Sequence, residues 1–188
     1  MTQASMSVAL AGLSFMLTLI WGAPLLRILR HFKVGKTIRV EGPQRHLTKM
    51  GTPTMGGVLF VLPVVLLTAL LNVGSLVGFS VLGRSVLLPM GVLVLYALLG
   101  AIDDWEGLRG QGMRARTKFF FQVVLALLAA IGLYYVLEVW NMYFPGVKGE
   151  VEMSGPLYVL IAVILIVGFS NAVNFTDGLD GLAGLISA

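Results

Sequence analysis

Charged residues are missing from five long stretches of the chain. Met1–Leu26, Met50–Gly83, Ser85–Ile102, Phe119–Leu137 and Met153–Thr176 contain no Asp, Glu, Lys or Arg. A helix needs about 20 apolar residues to cross the core of a bilayer, within a range of roughly 17–25. Each stretch therefore predicts one spanning helix, over residues 5–26, 57–72, 85–102, 119–138 and 155–173. The second stretch is longer, but Pro53, Gly56 and Gly57 open it, and Asn72, Gly74, Ser75 and Gly78 break up its end. Backbone polar groups in lipid must be paired internally, which favours helices. The period-2 alternation of a membrane β-barrel is absent. The pattern predicts an all-α, polytopic integral membrane protein with five transmembrane helices in one domain, residues 1–188.

Composition supports this class. Of the 188 residues, 57% are hydrophobic and 12% charged, against roughly 25% charged in ordinary soluble domains. That excludes a water-soluble globule, and the apolar content excludes disorder. With no cysteine, there is no disulfide framework, thiolate nucleophile or Cys-based zinc site.

The net charge of +4 acquires meaning from its placement. Of the 13 basic residues, 11 lie in two connections, residues 27–56 and 103–118. The opposite side holds Arg84 and Lys148 with Glu138, Glu150 and Glu152. The positive-inside rule puts the two basic connections in the cytoplasm and the N-terminus outside. The basic residues thus report orientation, not nucleic-acid binding. The first span lacks a basic n-region and does not fit a cleaved signal peptide. The outer loop from Glu138 to Pro156, with Pro145, Gly146 and Gly149, has the composition of a hairpin.

The polar residues hardest to explain structurally gather at the cytoplasmic ends. Gly51-Thr52-Pro53-Thr54-Met55-Gly56-Gly57 precedes the second span. It suits a helix start, but also a loop whose amides and hydroxyls approach a ligand. Asp103-Asp104 ends the third span. Two carboxylates at a helix C-terminus repel each other and oppose the helix dipole unless a cation or proton compensates. Either a divalent metal site or a pair solvated or neutralised by Arg109 or Arg114 satisfies that need. Residues 171–183 close the fifth span with Asn171, Asn174, Thr176, Asp177, Gly178, Asp180 and Gly181. Ionisable residues at membrane depth are functional candidates, although Asp-Gly also makes turns. Arg116 and Lys118 open the fourth span, as interfacial anchors or phosphate ligands. Trp21, Trp105 and Trp140 suit an aromatic belt. Carboxylates, a basic rim and Gly/Thr loops at one face suggest a phosphorylated substrate with magnesium, which takes one or two carboxylates plus substrate phosphates.

At these residues the chain resembles the polyprenyl-phosphate N-acetylhexosamine-1-phosphate transferase superfamily. The matching words are Gly42-Pro43 with His46, the Gly51–Gly57 stretch, Asp103-Asp104, Arg116–Lys118 with Gln122, and Asn171 through Ala183. Their wording is that of the branch that transfers phospho-N-acetylmuramoyl-pentapeptide. The resemblance implies transfer from UDP-MurNAc-pentapeptide to undecaprenyl phosphate, giving lipid I and UMP in peptidoglycan synthesis at the bacterial plasma membrane, with Mg²⁺ as cofactor. It implies catalytic roles for Asp103, Asp104 and Asp177. Asp103 would deprotonate the lipid phosphate, and Asp104 and Asp177 would serve the metal. Substrate contacts would come from Thr54, Lys118, Asn174, Gly178, Leu179 and Asp180. The resemblance also leaves room for a homodimer.

Two departures stand out. Trp105-Glu106-Gly107 replaces the usual aromatic residue and basic stretch, for which Arg109 is a substitute. Family members have about ten spans and about twice this length, so the chain is expected to be an N-terminal fragment, inactive alone. A further metal-binding Asp would lie beyond Ala188. Sibling enzymes using other UDP-sugars, and a non-catalytic scaffold or transporter fragment, remain the alternatives. A transporter, however, would line a path across the bilayer with its polar residues. A CDP-alcohol phosphotransferase is disfavoured because its spaced Asp pattern is not completed. Alkaline phosphatase fused at Gly110 should be inactive and the same reporter fused at Gly149 active; an active Gly110 fusion overturns the orientation.

Overall fold

The computed structural model describes residues 3–31, 54–76, 84–109 and 112–176. Five helices run in chain order: α1 (Gln3–His31), α2 (Val58–Leu76), α3 (Leu87–Leu108), α4 (Ala115–Tyr135) and α5 (Gly155–Thr176). A short 3-10 turn, Arg84–Val86, leads into α3. Two two-residue strands, β1 (Asn141–Met142) and β2 (Val151–Glu152), join α4 to α5. Among the described residues four helices are long and apolar enough to cross a membrane: Val8–His31 within α1, α3, α4 and α5. In α2 the apolar stretch Val58–Leu71 is shorter. The protein is an all-α polytopic membrane protein.

Each helix outruns its expected interval at one end or both, although α3 starts two residues later than expected, at Leu87, and α4 ends three residues earlier, at Tyr135. Leaving the apolar zone does not break a backbone ladder, so α3 continues past Ile102 through Asp103 and Asp104 to Leu108. It stops where Arg109 N–H and Gly112 N–H both donate to Glu106 O, at 3.1 and 3.2 Å. Gly112 takes the left-handed conformation that this turn requires (φ 58).

The chain divides into two compact units, Met1–Lys118 and Phe119–Ala188. In the first, α1 packs on α2 and α2 on α3. Gly22 lies at the first contact: a Cβ there would be 3.4 Å from Leu59 Cδ1, an ordinary packing distance. Leu25 and Leu29, one turn apart on α1, are buried.

The second unit is built on a seam of small residues. Gln122, Ala126, Ala129 and Ala130 are the buried stripe of α4, and Gly155, Tyr158, Ala162 and Val167 that of α5. Ala130, Tyr158 and Ala162 form one cluster, flanked by Leu133, Tyr134, Val159 and Val163. Lipid offers apolar side chains no reason to leave it, so helices associate through close packing and hydrogen bonds, which small residues permit. Gly155 shows how close this packing is, since a Cβ there would come within 3.1 Å of Tyr134 Cε1.

The outer loop forms the expected hairpin, with Asn141 opposite Glu152 and Met142 opposite Val151. Met142 packs on the seam. Tyr143 O–H donates to Glu150, and Asn141 Nδ2 donates to the same carboxylate at 2.5 Å. These two bonds hold the Glu150 carboxyl below its usual range, and the bond to Glu150 raises the Tyr143 phenol.

Ala130 has no exposed surface, so Ala130→Leu should overpack the seam and cost about 1–3 kcal/mol. Leu128→Ala, at an exposed position on the same helix, should cost less than about 0.5 kcal/mol. Thermal unfolding in detergent measures both.

Candidate functional site

Asp103 and Asp104 lie in the last turns of α3. Successive residues on a helix point about 100° apart, and here the two carboxylates take different partners. Asp103 Oδ2 pairs with Lys118 Nζ at 2.6 Å, in the first turn of α4. Asp103 Oδ1 accepts a long bond, 3.4 Å, from Met113 N–H in the α3–α4 connection. Asp104 Oδ2 accepts Met55 N–H at 2.8 Å, just before α2. The acidic pair thereby ties the end of α3 to the starts of two other helices.

Both partners answer the electrostatic difficulty of the pair. Lys118 supplies a full positive charge at a site about one-quarter exposed. Met55 supplies an amide at the N-terminal end of α2, where unpaired N–H groups carry partial positive charge. The helix begins there: Val58 N–H donates to Met55 O at 3.2 Å and Leu59 N–H to Gly56 O at 3.0 Å. Residues 54–57 are thus both a helix start and, through the Met55 amide, a partner of Asp104. Met55 adopts φ 64, which costs a non-glycine residue about 1–2 kcal/mol and turns its amide toward Asp104.

Thr54 adds a polar atom with no assigned task. Its Oγ1 is buried and has no hydrogen-bond partner among the described residues. An orphaned buried hydroxyl beside a carboxylate pair fits a group reserved for a ligand. Arg109 lies over the Trp105 ring at 5.5 Å, so it braces the α3 terminus.

The structure therefore gathers Thr54, Asp103, Asp104 and Lys118 at one place in the first unit. Asn174 sits exposed in the last turn of α5, in the second. Asp177, Gly178, Leu179 and Asp180 lie outside the described residues. Among the described residues there is no group of three or more acidic or histidine side chains able to hold a metal. The donors that are present, the Asp103 and Asp104 carboxylates, are the hard oxygens that magnesium takes, in the one or two copies it needs beside phosphates.

Sequence reasoning missed the Met55 amide, because a backbone donor carries no residue-type signal. The partnership of Gln122 with Asn171 was also missed. Gln122 is buried, and its Oε1 accepts Asn171 Nδ2 at 2.9 Å. A lone Gln at helical spacing within an apolar run was the available signal.

Spanning helices whose ends carry a carboxylate pair, matched by a lysine and a helix N-terminus, define a multi-pass membrane protein with a polar site at its helix ends. The chain belongs to glycosyl transferase family 4, whose profile matches residues 86–188. Residues 49–61 match signature 1 of phospho-N-acetylmuramoyl-pentapeptide-transferase. Two proteins of that name from strains of Chloroflexus aurantiacus, and one from Chloroflexus aggregans, are each 46% identical to the chain over 188 residues. The alignments cover 95% of this chain and 49% of each relative, so the chain spans about half their length.

Replacing Thr54 with its apolar near-isostere removes an unsatisfied buried hydroxyl. Thr54→Val should hold or raise thermal stability, by up to about 1 kcal/mol. A clear drop in melting temperature would show instead that the hydroxyl serves the fold.

Proposed function

We propose that the activity to which this chain contributes is the transfer of phospho-MurNAc-pentapeptide from its UDP carrier to undecaprenyl phosphate. The products are lipid I and UMP. The observation that carries the reading is the Asp103–Lys118 pair beside Asp104 and the Thr54–Met55 helix start. The second of these lies within the matched signature. The 46% identity to proteins named for this activity supports it.

On this reading Asp103 takes the proton of the lipid phosphate, held toward it by Lys118. The freed oxygen attacks the phosphorus attached to the sugar. A new P–O bond joins lipid phosphate to sugar phosphate, the bond to UMP breaks, and UMP leaves with the electron pair. The proton on Asp103 then passes to water. Lys118 faces the phosphate charge, and the Thr54 hydroxyl donates to a phosphate oxygen. Asn174, Gly178, Leu179 and Asp180 contact the nucleotide end. Asp104 and Asp177 would hold magnesium; the ion when bound neutralises charge on the phosphates being exchanged. The apolar acceptor enters sideways from the bilayer. The site faces the cytoplasm of the bacterial plasma membrane, where the basic connections lie.

The test is an assay of the complete gene product with UDP-MurNAc-pentapeptide and undecaprenyl phosphate, following lipid I. Asp103→Asn should lower kcat about a hundredfold or more, the usual scale for losing a positioned base. Asp177→Asn should fall comparably. Full synthesis by both variants would sink the site assignment, and use of a different UDP-sugar would move the protein to a sibling activity.

A further inference from the structure

Gln122 is the one buried polar side chain among the described residues. It lies about two turns into α4, next to the exposed Phe121 and on the buried stripe that continues through Ala126, Ala129 and Ala130. An unpaired amide there would cost several kcal/mol, because lipid offers no partner. Both ends of this amide are used. Nε2 donates to Ser170 Oγ at 3.4 Å, and Oε1 accepts from Asn171 Nδ2 at 2.9 Å. The second Asn171 Nδ2 hydrogen goes to Val167 O at 2.8 Å, one turn back on α5. Asn171 is thus held both to α4 and to its own helix.

This clamp sits where apolar packing runs out. The buried face of α5 ends at Val167. Beyond Asn171 the helix exposes Ala172, Val173, Asn174 and Phe175, with Phe175 82% exposed. The continuous ladder of α5 carries its rotation into the last turn, and beyond Val167 a hydrogen bond of fixed direction, Asn171 to Gln122, holds that rotation against α4. Asn174 follows Asn171 by three residues, so it lies on nearly the same helix face. Fixing Asn171 toward α4 therefore fixes where Asn174 is presented.

We infer that Gln122 is a positioning residue. Through Asn171 it sets the orientation of the α5 terminus and presents Asn174 to the nucleotide-sugar donor. The inference rests on the reading above, in which Asn174 contacts the donor. Gln122 itself touches no substrate. Its effect falls on the donor and spares the lipid acceptor.

The experiment uses the complete gene product. Gln122→Met keeps the length of the side chain and removes both hydrogen bonds. It should raise KM for UDP-MurNAc-pentapeptide about tenfold, the scale of stranding a buried partner. KM for undecaprenyl phosphate should stay within about twofold. A variant that merely misfolds in part loses active molecules, lowering apparent kcat with both KM values unchanged. The swap Gln122→Asn/Asn171→Gln moves one methylene from α4 to α5, keeps the amide pair, and should return the donor KM toward that of the parent. If Gln122→Met does not insert, Gln122→Asn alone, one methylene too short to reach Asn171, takes its place. An unchanged donor KM, or equal changes in both KM values, overturns the inference.

A second readout does not depend on turnover. These 188 residues contain no cysteine, so Asn174→Cys introduces a thiol read against the parent protein as blank. Its labelling rate with a methanethiosulfonate reagent should change at least about fivefold when Gln122→Met is added, and the swap should restore it. An unchanged rate overturns the positioning role. If the parent protein makes no lipid I, the proposed activity fails, and the labelling rates still decide the role of Gln122.

Discussion

A backbone amide inside a bilayer can find a partner only within its own helix or on a neighbour. This constraint organises the protein. It makes the spans helical and keeps irregular backbone at their ends, so site chemistry is displaced to those ends. It also decides how helices associate. With no hydrophobic gain from leaving lipid, α4 and α5 join through alanines, a close-packed glycine and one amide clamp. Large apolar residues such as Leu128, Leu160 and Ile164 stay exposed, as lipid-facing residues do.

The carboxylate pair shows the same logic at the membrane surface. Two adjacent acids near a helix C-terminus are electrostatically poor by themselves. The 100° step between them sends each to a different element, one to Lys118 and one to the Met55 amide. The repulsion that would destabilise an isolated helix becomes the tie among three helix termini. Met55 bears a backbone cost to complete it, and such local strain persists only where the surroundings hold it in place. Thr54, with its unpaired hydroxyl, sits next to that strained residue.

Much of the fold and part of the site were legible in the residues. The spans followed from charge-free runs, because removing a charge from water costs more than any local propensity. Asp103-Asp104 and Asn171–Asn174 were conspicuous for the same reason: polar groups at the end of an apolar run need an explanation. The extension of α3 to Leu108 was not legible, since apolarity marks where the membrane ends, and a helix can continue beyond it. The Met55 amide was invisible because every residue carries one. Arg109 reads as a substitute for the family's basic stretch; that it lies over the Trp105 ring was not legible, since a guanidinium binds an aromatic face as well as an anion.

The sequence by itself determined the class and marked the apolar runs and the uneven placement of basic residues, because transfer of apolar and charged groups between water and lipid depends on residue type alone. It also placed the acidic, glycine and asparagine words at helix ends. Only the tertiary structure decided which partner each polar group takes: Lys118 for Asp103, the Met55 amide for Asp104, and Gln122 for Asn171. Those choices depend on direction and on distances of about 3 Å, set by the rotation and stagger of helices that are far apart in sequence. Residue type cannot specify that geometry; packing at the helix seams does.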